Sequence, residues 1–123
     1  MQKKSCSCTG GAKLIFACSG AADVGNLADQ TARKLNREGA GKMFCIVGVG
    51  GRVPGIMATT QAAETILAID GCPLQCVKAS LDEAGIGKYR QLKLWEHGCQ
   101  KGQTEVTAEL IAEMAAAGKK LLE

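Results

Sequence analysis

Seven cysteines, Cys6, Cys8, Cys18, Cys45, Cys72, Cys76 and Cys99, carry most of the chemistry available to this chain of 123 residues. Thiols at such density lock a secreted fold, hold a metal, or do thiol chemistry. An odd count fits a fully paired disulfide framework badly. Met1-Gln2-Lys3-Lys4-Ser5-Cys6 has basic residues with no apolar stretch after them, which is not the pattern of a secretory signal. No apolar run approaches the roughly 18 residues needed to cross a bilayer. The expected location is the cytoplasm, with no membrane association. In that reducing compartment the cysteines point to metal binding or thiol chemistry.

The sharpest local unit is Asp70-Gly71-Cys72-Pro73-Leu74-Gln75-Cys76. Proline is favoured in the first turn of a helix, so Cys72-Pro73 reads as a helix start. Cys72 and Cys76 would then share one face, with Cβ atoms roughly 5–6 Å apart. A disulfide prefers Cβ atoms about 3.5–4.5 Å apart and would need distortion there. Two thiolates on one zinc, at a Zn–S distance of about 2.3 Å, lie roughly 3.8 Å apart, within reach of side-chain rotation. A helix N-terminus also favours thiolate, which serves metal binding and nucleophilic attack alike.

The elements that must position these groups read as alternating strands and helices. Lys13 to Cys18 is a short apolar run broken by Ser19-Gly20, and 26–37 carries Leu27, Ala28, Ala32 and Leu35 on one helical face. Met43 to Val49 reads as a second buried strand, closed by Gly50-Gly51. Pro54 opens another helix through Met57. Thr65 to Ile69 is a third strand, stopping at Asp70-Gly71, and Tyr89 to Trp95 is a fourth, at the sheet edge. The last helix begins near Thr104 or Thr107 and runs toward Leu121. Continuous apolar strands alternating with helices imply an α/β fold: a doubly wound, mainly parallel sheet of about four strands, helices on both faces. The expected organisation is a flexible, cysteine-containing N-terminus over 1–11 and one α/β domain over 12–123.

Ligands of such sheets sit beyond the carboxyl ends of the strands. Cys18 ends the first strand, Cys72 just follows the third, and His97 and Cys99 follow the fourth. Cys45 falls early in its expected strand, on the order of 13 Å short of the sheet edge, which places it in the core. Cys6 and Cys8 form a close pair on a terminus expected to be mobile, readable as extra ligands, as a metal-transfer pair or as simply disordered. His97, the sole histidine, and Cys99 are possible additional ligands. Asp23 and Asp70 near strand ends read as helix caps or turn formers before catalytic groups. Gly20 and Gly25 fit a G-x-x-x-x-G frame, but Asn26-Leu27 stands where a phosphate loop needs lysine and a hydroxyl. Arg52, after Gly48-Val49-Gly50-Gly51, is a weak candidate for a small anion.

Hydrophobic residues make up 46% of the chain and aromatics only 3%, a small-residue composition suited to close helix-on-sheet packing rather than to a β-sandwich. The net charge of +3 is too slight to imply nucleic acid, and the basic residues form no cluster along the sequence. Aromatic platforms for single strands are also missing. No nucleic-acid partner is expected; a protein partner cannot be named from these residues.

Three segments together resemble the DGC-domain family, whose zinc binding is inferred from its cysteine pattern. They are Cys18-Ser19-Gly20-Ala21-Ala22-Asp23-Val24-Gly25, Met43-Phe44-Cys45-Ile46-Val47-Gly48-Val49-Gly50, and Ile69-Asp70-Gly71-Cys72-Pro73 with Cys76. The resemblance implies Cys18, Cys45, Cys72 and Cys76 as the metal-chelating set, against the core placement of Cys45. Zinc is the expected metal; soft thiolates also suit copper(I) or an iron–sulfur cluster. The leading expectation is a thiolate metal-binding protein. The alternatives are a thiol-redox or sulfur-transfer enzyme with Cys72 as nucleophile and Cys76 or Cys18 resolving it, and a metal- or redox-responsive partner-binding protein.

Overall fold

A computed structural model describes residues 11–123 of the chain. Its elements run β1 (Lys13–Ala17), α1 (Asp23–Arg37), β2 (Lys42–Met43), α2 (Ile46–Gly50), α3 (Pro54–Ala62), β3 (Thr65–Asp70), α4 (Cys76–Glu83), β4 (Arg90–Lys93) and α5 (Ala108–Leu122), with a 3-10 turn over Leu94–His97. The four strands form one parallel sheet in the order β2-β1-β3-β4. The chain passes from β1 to one side and returns to place β3 on the other. That reversal between β1 and β3 is the topological switch point, the crevice where open α/β sheets bind ligands.

Side chains alternate across the sheet with period two. Ile15, Ala17, Leu67, Ile69 and Leu92 face α1 and α5, whose stripes include Leu27, Leu35 and Met114. Leu14, Phe16, Ile66 and Ala68 face the other way, onto Val49 of α2 and Val77 and Leu81 of α4. Both faces are therefore covered, which is why β1 and β3 are apolar throughout instead of alternating. The doubly wound α/β expectation holds, and the sheet is wholly parallel.

Two local expectations fail, and both failures move cysteines. The run Met43–Val49 is not one strand: pairing stops at Met43, Cys45 sits at the N-cap of α2, and Val49 is in that helix. A short apolar run has no period that separates a buried strand from a buried helix. Glycine decides here, because a Cβ at Gly48 would collide with Ile56 of α3, so α2 needs that bare backbone to pack. Cys45 is consequently exposed at the sheet edge rather than buried in the core.

The helix expected to open at Cys72-Pro73 opens instead at Cys76. Residues 72–75 form a turn closed by the Gln75 amide donating to the Cys72 carbonyl at 3.0 Å, with Gln75 left-handed at φ 56°. Pro73 permits a helix there, but the carboxylate of Asp70 sets the start. Buried at the end of β3, it accepts the amides of Val77 at 2.8 Å and Lys78 at 3.2 Å, two donors of a first turn that begins at Cys76. Cys72 and Cys76 therefore share no helix face, and Cys72 lies outside the helix.

Two other boundaries shift by a few residues, α1 starting at Asp23 and β4 being confined to 90–93, while α5 opens after Thr107 as expected. The Thr107 hydroxyl accepts the Leu110 amide at 3.1 Å, an N-cap bond.

Candidate functional site

Three strand ends and the start of one helix carry four cysteines to the carboxyl edge of the sheet. Cys18 follows β1 directly, its amide donating to the Ile69 carbonyl of β3 at 3.2 Å. Cys72 lies two residues beyond the end of β3, Cys45 two beyond β2, and Cys76 opens α4. Cys18 and Cys72 are half-buried, while Cys45 and Cys76 are exposed. The backbone amides of Gly71, Gly20 and Ser19 face the Cys18 sulfur. Burial nevertheless pushes this thiol above its ordinary value; those amides oppose the shift, and the nearby Asp70 charge adds to it.

Close backbone approach builds this crevice. A Cβ on Gly71 would stand 2.6 Å from the Val24 carbonyl oxygen of α1, and one on Gly25 would stand 2.6 Å from that of Gly20. Gly71, before Cys72, and Gly25, in the first turn of α1, are therefore required by packing between the β1 and β3 exits and that turn. Ser19, next to Cys18, adopts φ 53°, and Gln75, next to Cys76, adopts φ 56°. Non-glycine residues pay for such left-handed conformations, at roughly 1–2 kcal/mol each.

Neither acidic residue near the strand ends stands free. Asp70 is consumed by the two α4 amides and by the Gln91 side-chain amide at 2.9 Å, and Gln91 also reaches Gln75 at 3.0 Å. Gln91 on β4 thus braces the turn that carries Cys72 and Cys76. Nothing in the sequence reading singled it out, although a glutamine inside a strand beside Leu92 was a visible signal. Asp23 accepts the amides of Gly102 at 2.9 Å and Thr104 at 3.0 Å, tying α1 to the loop before α5. The expectation of caps and turn formers holds for both.

Arg52 is also occupied. Its guanidinium donates to the carbonyls of Val49, Gly50 and Glu83, so it closes the C-terminal ends of α2 and α4, which explains it better than an anion does. His97 is exposed on the far side of β4, lining a groove with Glu113 and Lys120 of α5. Cys99 is 2% exposed and packs into the core between the sheet, α1 and α5. Burial raises its thiol, with Glu113 adding. Cys6 and Cys8 lie outside the described residues.

The donor set at the carboxyl edge is all thiol, which suits a soft or borderline ion such as zinc. As placed, no three His, Cys, Asp or Glu side chains among the described residues stand close enough together to hold a metal ion. Cys45 and Cys76 are exposed, while the backbone beside each is anchored, by Phe44 and Ile46 packed on the core and by buried Val77, so rotation of the two side chains is what brings their thiols toward the half-buried pair.

Among the described residues, no helix is long and apolar enough to cross a membrane. No solved structure matches the chain. A curated protein from Pseudomonas aeruginosa, the anaerobic and virulence modulator AnvM, is 43% identical over 88 residues, covering 72% of this chain and 67% of its own. The DGC domain family model matches residues 14–117, a span that takes in all four edge cysteines. The chain belongs to the DGC domain family.

Proposed function

We propose that this protein binds a soft metal ion, zinc first, through Cys18, Cys45, Cys72 and Cys76. The observation that carries this reading is the gathering of these four thiols, from three strand exits and one helix start, at the edge that holds the switch point. Cys18 and Cys72 flank the crevice between β1 and β3. Cys45 and Cys76 are exposed and complete the set by side-chain rotation inward. When bound, zinc supplies a closed clamp across the three strand exits or, held by three thiolates, an open Lewis-acid position. The name of the Pseudomonas relative describes a modulator. A modulator role for this chain, with site occupancy altering its affinity for a protein partner, fits a site two of whose four thiols are exposed.

The thiol-chemistry reading, with Cys72 as nucleophile, is weaker, because Cys72 is not in the first turn of a helix. Elemental analysis of protein purified without oxygen or chelator separates the two, with free thiols counted before and after denaturation. The expected result is about one zinc per chain, masked thiols, and loss of metal on replacing any of the four cysteines with serine. Cys99→Ser retains the metal. Copper or iron in place of zinc would change the ion and keep the site. Metal-free protein with a fast-reacting thiol, abolished in Cys72→Ser, would replace this reading with thiol chemistry.

A further inference from the structure

The side of the molecule formed by edge strand β2 and α1 has a second candidate site. Arg33, Asn36 and Arg37 of α1 and Met43 of β2 line an open groove of about 440 Å3. Its two basic residues, Arg33 and Arg37, come from one helix, and β2 supplies the facing wall. Helices α1 and α5 pack on the same sheet face, and their last turns carry Lys34 and Arg37, and Lys119 and Lys120.

The groove is arranged to receive a carboxylate. Arg33 and Arg37 are one helical turn apart on an exposed face. The Nε of Arg33 donates to Asp29 at 2.7 Å, which orients the guanidinium and leaves its two terminal nitrogens available. Arg37 has no ion pair or hydrogen bond among the described residues. Asn36 accepts the Met43 amide at 2.7 Å through its side-chain oxygen, so one wall is fixed and its amide nitrogen remains a donor. That bond also satisfies the Met43 amide, closing the edge of β2 to an added strand. The half-buried Met43 side chain gives the groove an adaptable apolar lining, a property methionine brings to binding surfaces.

The protein already holds one carboxylate on this surface. Glu38 meets Lys34 at 2.9 Å, and the bond to Lys34, with the charges of Lys34, Lys119 and Arg37, keeps its carboxyl below the usual range. Planar guanidinium forks favour bidentate carboxylate or phosphate recognition. Between these, the apolar lining and the absence of aromatic side chains from the groove favour a peptide over a nucleic acid.

We propose that this groove docks an acidic, partly apolar segment of a partner protein, with side-chain carboxylates on Arg33 and Arg37 and an apolar side chain on Met43. The groove runs along the β2 side of the sheet, contains none of the cysteines and does not depend on their metal reading. The test is fluorescence anisotropy on the full chain with a labelled eight-residue peptide alternating glutamate and leucine. Inorganic phosphate and a labelled duplex DNA run in parallel.

The expected result is saturable peptide binding that weakens about tenfold in R33A/R37A and weakens with salt, while K88A, outside the groove, binds like the parent. All the substituted side chains are exposed, and Arg37→Ala alone, which removes no internal bond, carries the test if the double variant folds poorly. Three results would overturn the proposal: no peptide binding at low salt, equal loss in K88A, or phosphate or DNA outcompeting the peptide in an arginine-dependent way.

Discussion

Thr31 is buried in the middle of α1, and its hydroxyl has no hydrogen-bond partner among the described residues. A buried, unpaired hydroxyl costs roughly 1–3 kcal/mol of lost solvation. Thr31→Val keeps the branched shape and removes the oxygen, so it should raise stability by about 1 kcal/mol, read as a higher midpoint in urea at unchanged slope. The cysteines offer a second residue-level test. In metal-free, reduced protein, time-resolved alkylation read by peptide mass spectrometry should label exposed Cys45 and Cys76 first. Half-buried Cys18 and Cys72 should follow, and buried Cys99 last. Burial slows Cys18 twice, by limiting access and by raising its thiol. Labelling of Cys99 before Cys45 would contradict the placement of both.

The element that governs the cysteine edge is the passage from β3 into α4. Asp70 ends the strand, caps the helix and holds Gln91, so one buried carboxylate sets where the helix begins and where the 72–75 turn sits. Asp70→Asn replaces one acceptor oxygen with a donor that faces other donors. It should cost about 1–3 kcal/mol and, by loosening the turn, speed alkylation of Cys72 relative to Cys45. Gly71 is the other constraint. A methyl there meets the Val24 carbonyl at 2.6 Å, so Gly71→Ala should destabilise by about 1–3 kcal/mol and lower metal content together with stability. Gly55→Ala is the control: its Cβ meets nothing within 4 Å, and alanine is the better helix former.

Across the whole molecule, segments 79 to 81 residues apart are joined by Asp23 at the start of α1, whose carboxylate binds amides of the loop leading to α5. The amides of Gly102 first, then Thr104, hold its carboxyl below the usual range. A depressed folded pKa gives stability that is complete above the unfolded value, near 3.8, and is lost as pH falls through the folded value. Melting temperature measured below pH 4 should therefore drop less steeply in Asp23→Asn than in the parent. An identical acid slope in the two would show that the Asp23 bonds contribute nothing to stability. The same architecture separates the molecule's two surfaces: parallel strands send the thiols to one edge, and helices running back send the cationic C-terminal turns of α1 and α5 to the other.

Pattern and composition were enough for the α/β class, the parallel sheet, the apolar faces of α1 and α5, and the placement of Cys18 and Cys72 at strand exits. These follow from periodicity and turn residues, which act over a few positions and survive without knowledge of neighbours. The strand order, the short β2, the start of α4 at Cys76 and the exposure of Cys45 were not legible. Each depends on contacts between different elements that no single-segment pattern contains, such as Gly48 under Ile56, Asp70 onto Val77 and Lys78, and Gln91 onto Gln75. The groove is the same case, since Met43 joins Arg33, Asn36 and Arg37 only when β2 is placed beside α1 and its amide bonds Asn36. Short-range pattern specifies which surfaces are apolar; only packing decides which polar and thiol groups meet, because those meetings are set by where the buried surfaces end.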